Sequence, residues 1–157
     1  MKTIIRKTTT KDLSQIQKLM DVLNNSREKN FSKQNKPFHK RLKQYPKLKK
    51  SDIENDIFLV AVDDNKIVGF IWGSIHRRRS HKLSKLGYIE EICVDKKIRS
   101  KGLGKKLLKF LEEEFTKLGC DHVTTHTDWE NKPAQKLYSK SGMNKVTVEY
   151  WKRIYKK

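Results

Sequence analysis

The stretch that most constrains this chain is Tyr88 to Gly119, where a β-rich run, a short basic glycine turn and a long amphipathic pattern follow one another directly. The run Y-I-E-E-I-C-V (Tyr88 to Val94) is dominated by β-branched and aromatic residues. A period of two predicts Glu90, Ile92 and Val94 on one face and Glu91 on the other. After the turn R-S-K-G-L-G (Arg99 to Gly104), Leu103, Leu107, Leu111, Phe115 and Leu118 fall at the spacing of one buried helical stripe, and Gly119 stands where a helix C-cap is expected.

The chemistry of such a turn lies in its amides. A helix start leaves backbone N–H groups without partners and carries partial positive charge, and glycines let an anion approach the backbone. Arg99, Lys101, Lys105 and Lys106 add cations at that point, so the stretch reads either as a pyrophosphate cradle or as a tight turn alone. Two familiar phosphate motifs fail on spacing. A P-loop needs a glycine where Arg99 stands and Ser or Thr where Lys106 stands, and a Rossmann fingerprint needs a glycine where Leu107 stands.

Arg99, Gly102 and Gly104 fill the pattern [Q/R]-x-x-G-x-[G/A], and N-K-P-A-Q-K-L-Y-S-K-S-G-M (Asn131 to Met143) resembles N-x-x-A-x-x-x-Y-x-x-x-G-F, with Met143 in place of the usual Phe. In these two segments the chain resembles the GNAT superfamily of N-acetyltransferases. The resemblance implies an α/β (α+β mixed) GNAT fold. Its central sheet is mixed, mostly antiparallel and twisted, with six to seven strands, about four helices and a splayed pair of central strands. It implies acetyl-CoA as acetyl donor, held by Arg99, Ser100, Lys101, Gly102, Leu103, Gly104 and Lys105 around the pyrophosphate. Backbone groups of Ile92, Cys93 and Val94 would meet the pantetheine arm, and Asn131 would cap a helix and touch the same arm. Tyr138 is then the candidate acid that protonates the departing thiolate.

Two residues compete as the base. In similar acetyltransferases of small amines a glutamate at the position of Glu90 points at the acceptor, and a neighbouring carboxylate with partial burial would raise its pKa. His126 stands five residues before Asn131 and twelve before Tyr138, where N-terminal-alanine acetyltransferases of the superfamily carry a glutamate. Imidazole chemistry suits a base near neutral pH. The acceptor is a primary amine of a protein or a small molecule. The alternative is a basic nucleic-acid- or ribosome-binding module that keeps the fold as a scaffold.

Composition supports that alternative through charge. Thirty-seven basic against 18 acidic side chains give +19, a field that attracts acidic partners such as nucleic acid or a ribosome. Ten Lys or Arg and one acid, Glu28, fall between Arg27 and Lys50, and Arg77, Arg78, Arg79, Lys82 and Lys85 form a second cluster. The 157 residues suit one domain, 1–157. No apolar run spans a bilayer and Met1 to Lys11 lacks a leader pattern, so a cytoplasmic location without membrane contact is expected. Cys93 and Cys120 read as reduced, buried small residues. The cysteines and five histidines show no metal-ligand spacing, so no metal is expected. A homodimer is possible by analogy with similar proteins.

Along the chain, T-I-I-R reads as an edge strand. Thr9 with Asp12 reads as a helix start, followed by the stripe Leu13, Ile16, Leu19, Met20 and Leu23. Residues 24–51 are polar and basic, with Leu42, Tyr45 and Leu48 as one face of a short second helix. Phe58–Val62, the turn D-D-N-K and Ile67–Ile75 read as a hairpin. Asp121–Asp128 alternates like a strand, Lys132–Lys140 reads as a short helix, and Lys145–Tyr155 reads as a closing strand or pair of strands.

Overall fold

The computed structural model describes residues 3–30, 47–77 and 85–150. Its sheet grows outward from the expected hairpin. Strands β1 (Ile4–Lys7), β2 (Ile57–Asp63), β3 (Lys66–Arg77) and β4 (Lys85–Val94) pair antiparallel in sequence order. Asp64 and Asn65 close the β2–β3 turn with φ of 45° and 61°, the positive values that a two-residue hairpin turn demands. β5 (His122–Thr124) joins β4 in parallel, giving the order β1-β2-β3-β4-β5.

Alternation along β2 divides the core between the two sheet faces. Leu59 and Ala61 face helix α3 (Leu103–Lys117) and pack with Val68, Ile71 and Ile89 against Leu103, Leu107, Leu108, Leu111 and Phe115. Phe58 and Val60 face helix α1 (Leu13–Asn30) and pack with Ile67, Phe70 and Cys93 against Ile16 and Met20. Full burial of each such side chain contributes about 1.5–3 kcal/mol, so these two stripes hold both helices to the sheet. The predicted α3 stripe, joined by Leu108, holds except at its C-terminal end, where Leu118 caps the helix and is 43% exposed. Gly119 has φ 75° and donates to Thr116 O while Cys120 donates to Phe115 O, a closed Schellman end.

Phe115 sets the helix–sheet distance. Its ring lies where Gly73 and Gly87 leave room, and a Cβ built on either glycine would fall 2.6 Å or 2.4 Å from ring atoms. On the opposite side, α1 starts as predicted. The Asp12 carboxylate accepts from the Thr9 N–H at 2.8 Å and from two nitrogens of Arg6 at 2.7 and 2.9 Å, which holds its pKa at about 2.

Several expectations are corrected. Among the described residues the sheet has five strands where six or seven were expected. The described part of the closing strand, residues 145–150, forms no ladder, and Val146, Val148 and Tyr150 are 76–92% exposed. β5 is only three residues long, so it offers a sixth strand little edge to pair with. Helix α2 is Lys50–Asn55, beyond the second helix expected on Leu42, Tyr45 and Leu48, whereas α4 is Lys132–Lys140, as read. Leu42 and Tyr45 lie outside the described residues. So do residues 78–84 of the second basic cluster and the last part of the closing strand.

Candidate active site

Polar side chains gather where β4 and β5 part. The two strands pair only over Leu86–His122, Gly87–Val123 and Tyr88–Thr124. The Thr125 hydroxyl then donates to Ile89 O at 3.0 Å and closes the ladder. β4 runs on to Val94, while the chain after Thr125 turns away through 128–131, where Asn131 N–H donates to Asp128 O at 2.9 Å. This divergence is the splayed pair expected of the fold.

At the same level β4 carries a bulge. Trp72 lies opposite Glu91 and Gly73 opposite Ile89, so Glu90 is the extra residue. An extra residue shifts the alternation by one. Glu90 therefore does not share a face with Ile92 and Val94, which pack with Ile89 against the α3 cluster. Its carboxylate instead meets residues from the other face of β3.

The Ser74 hydroxyl donates to Glu90 Oε1 at 2.5 Å. Its one proton is thereby used, so in the 3.0 Å contact with His76 the imidazole Nε2–H donates to Ser74 Oγ. His76 Nε2 stands 3.6 Å from the Glu90 carboxylate, and its ring stacks on Tyr88 at 4.8 Å and 8°. The Tyr88 hydroxyl meets His126 Nδ1 at 2.9 Å. Burial, with help from the carboxylates of Glu90 and Glu149, pushes the Tyr88 pKa up against the opposing pull of a hydrogen bond from the His126 backbone. The phenol stays protonated at neutral pH and donates to Nδ1, so a neutral His126 carries its proton on Nε2. The two candidate bases are thus the ends of one connected group.

Ser74, His76 and Tyr88 escaped the sequence reading. The signal was present in G-S-I-H: two polar residues at spacing two in an otherwise apolar strand.

The glycine turn lies at the end of β4. A 3-10 turn (Lys96–Ile98) leads into Arg99, whose Nε donates to Val94 O at 2.9 Å and ties the turn to the strand. Ser100 and Gly102 have φ of 67° and 78°. The first helical bond of α3 is Lys106 N–H to Gly102 O at 3.1 Å, and Gly102 has no side chain to cap with. The amides of Leu103, Gly104 and Lys105 therefore leave the helix end unclaimed by it, as an anion site needs. The Leu103 side chain is buried in the core, so that residue offers only its backbone. A cleft of about 550 Å³ continues from Gly102 past the exposed Lys105, Lys106 and Lys109 to Glu112 and Ser141. Lys101 is exposed beside it.

The remaining candidates occupy defined places. Cys93 is buried on the α1 face, its thiol meets Leu19 O at 3.8 Å and its backbone stands opposite Phe70 of β3. Cys120 is half-buried, and burial pushes its thiol pKa up. Asn131 caps α4, its Oδ1 accepting from Ala134 N–H at 3.3 Å. Tyr138 is half-buried on α4 and packs against the α3-side core, across the sheet from Glu90. Among the described residues, no cluster of three or more His, Cys, Asp or Glu could hold a metal ion, and no helix is long and apolar enough to cross a membrane.

Comparison with known proteins matches residues 19–143 to the acetyltransferase (GNAT) family model. N-alpha-acetyltransferase 30 of Dictyostelium discoideum is 30% identical over 133 residues, covering 85% of this chain and 64% of that protein. Glucosamine 6-phosphate N-acetyltransferase of Arabidopsis thaliana is 33% identical over 75 residues, 48% of each chain. The chain thus spans less than two thirds of the length of these relatives. Among solved structures, a mutant of the BH1408 protein from Bacillus halodurans superposes with a TM-score of 0.80 at 18% identity, covering 97% of this chain and 99% of that one. Aminoglycoside N-acetyltransferase AAC(6')-Iy in complex with CoA superposes at 0.68 with 21% identity, covering 96% and 100%. At these identities the structures establish the fold.

Proposed function

Since the chain belongs to the acetyltransferase (GNAT) family, we propose that it is an N-acetyltransferase moving an acetyl group from acetyl-CoA directly to a primary amine, in the opening between β4 and β5. The observation that carries the reading is the 2.9 Å contact of Tyr88 with His126 at the point where the strands part.

The residues of the turn fit the donor. Unclaimed amides at Leu103 to Lys105, a left-handed Gly102 and three lysines along one cleft suit a pyrophosphate and further phosphate. When bound, the donor supplies a thioester-activated acetyl group. Everything else falls to the chain.

The acceptor must be neutral to attack. At pH 7 deprotonation costs about 4.6 kcal/mol for a lysine amine and about 1 kcal/mol for an α-amine. Glu90, its side chain 29% exposed, draws the ammonium form in. The Tyr88 oxygen accepts the amine proton as its own proton passes to His126 Nδ1, which leaves an imidazolium. Glu90 is already engaged by Ser74 and lies beside His76, so it serves better as the charge that attracts than as the final proton acceptor. Tyr138, across the sheet, provides a phenolic proton for the departing thiolate.

Calorimetric titration with acetyl-CoA, followed by a panel of amine acceptors, tests the reading. Saturable binding and acetylation of at least one amine are expected. Gly102→Asp sets a carboxylate against the pyrophosphate and strains a backbone with φ 78°, so binding should vanish. Undiminished affinity in that variant would refute the cradle.

A further inference from the structure

The walls leading into the β4–β5 opening carry opposite charge at their two ends. One wall is the run from His126 to Lys132; the other is the extended segment from Lys145 to Glu149.

At the outer end, the Trp129 indole is 72% exposed and has two ammonium groups over it, Lys132 Nζ at 4.6 Å and Lys145 Nζ at 5.3 Å from the ring centroid. The arrangement is braced by one side chain. Gln135 donates to the carbonyls of Asp128 and Trp129 at 3.1 and 2.6 Å and accepts from Lys145 Nζ at 3.1 Å, so it ties both walls together. Asp128 and Glu130, which flank Trp129 in sequence, are half-buried with contacts of their own. Lys132 and Lys145 are exposed where these two carboxylates are not, so the side chains that reach furthest into solvent at this end are the ammonium groups. Two ammonium groups gathered at one indole repel each other, and an anion between them relieves that repulsion.

The inner end is the reverse. Glu90 stands beside Tyr88, and the Glu149 carboxylate is near enough to act on the same phenol. The two ends are close, because Trp129 follows His126 by three residues and three residues span at most about 10–11 Å.

Resting on the acetyl-transfer reading, we propose that the acceptor is bipolar: a primary amine presented to Tyr88 and His126, joined within about 10 Å to a phosphate or carboxylate that Lys132 and Lys145 hold at Trp129. An amino-sugar phosphate and the N-terminus of an acidic polypeptide share this chemistry, and the general +19 charge alone would not select for that spacing.

The test compares kcat/KM for matched acceptors with the full chain. One arm uses glucosamine 6-phosphate against glucosamine. The other uses a short peptide with acidic second and third residues against the same peptide with glutamines. A preference of about 10- to 100-fold for the anionic member is expected in at least one arm, since charge-assisted contacts are worth one to two factors of ten. The arm that responds identifies the source of the anion. Lys132→Gln with Lys145→Gln should bring the preference down to near unity. Removing equal charge from exposed positions outside both walls, by Lys11→Gln with Lys18→Gln, should leave it intact.

Acetylation without preference in either arm overturns the bipolar acceptor and leaves acetyl transfer standing. So does a preference that survives the double variant, or one that the Lys11 and Lys18 pair removes equally. Saturable acetyl-CoA binding with no amine acetylated overturns both readings.

Discussion

Tyr88→Phe removes a single oxygen and keeps the ring that stacks on His76 at 4.8 Å, so it isolates the proton path from the architecture. What disappears is the 2.9 Å contact with His126. A positioned acid or base contributes about 10²–10⁴ in rate, and because water can partly replace one hydroxyl the lower end applies here: about 10²-fold in kcat, near 2.7 kcal/mol. His126→Gln should cost a similar factor, since the hydroxyl then has no base to pass its proton to. If both residues move one proton, the second substitution finds nothing left to remove. The double variant should then fall by about 10²-fold rather than 10⁴-fold, a coupling of about 2.7 kcal/mol in the cycle. The assay is release of the CoA thiol at saturating acetyl-CoA and acceptor, with acetyl-CoA affinity measured calorimetrically as a control for folding. Additive losses would show that the residues act separately. A Tyr88→Phe variant within twofold of the parent would remove the path altogether.

Other expectations follow from the same geometry. Tyr138→Phe should lower turnover by about an order of magnitude or more while leaving acetyl-CoA affinity nearly unchanged, because only the thiolate's proton is lost; unchanged turnover would end its role as the acid. Gly87→Ala puts a Cβ 2.4 Å from the fully buried Phe115 ring, an overpacking of about 1–3 kcal/mol, which lowers the melting temperature by roughly 2–12 °C. A melt equal to the parent's would mean that the helix can retreat from the sheet. Stability should also fall in acid. The folded pKa of Asp12, about 2, lies below its ordinary 3.8. Its contribution is therefore complete above about pH 4 and lost as pH drops through about 2. For a side chain 8% exposed this is about 2 kcal/mol, which Asp12→Asn should remove from the acid limb of a denaturation profile.

The sequence could be read wherever one local rule decides the outcome. The hairpin followed from two apolar runs around Asp64 and Asn65, the start of α1 from Thr9 and Asp12, and the end of α3 from Gly119. The glycine turn was equally plain, because Gly102 in a left-handed conformation before a helix is a matter of spacing. What could not be read depends on pairing between distant segments. A period of two placed Glu90 with Ile92 and Val94, but the extra residue in β4 exists only in relation to β3. Nothing local in Y-I-E-E-I-C-V marks it. Ser74 and His76 gain a role only through the register, which sets them against Glu90 and Tyr88. The described part of the expected closing strand, residues 145–150, forms no ladder for a related reason. Its alternation is real, yet a strand needs a neighbour, and β5 ends at Thr124.

The bulge and the early end of β5 have a common consequence. Had β4 kept its register, its pairing with β3 would run through Glu90 without a break. Instead the Thr125 hydroxyl takes the Ile89 carbonyl one residue before the bulge, and the side chain of the inserted residue goes to Ser74 and His76. From Glu90 to Val94, β4 then has β3 on one edge and, among the described residues, no strand on the other. That exposed edge leads straight to Arg99, which is fastened to Val94 O, and so to the amides at the start of α3. On the proposed reading, a donor held by its pyrophosphate at Gly102 would lie along backbone that no strand among the described residues occupies, with its reactive end toward Tyr88 and His126. Filling the gap by extending β5 would abolish this alignment without touching any of the polar side chains. The active site is thus a property of where the sheet stops as much as of the residues around it.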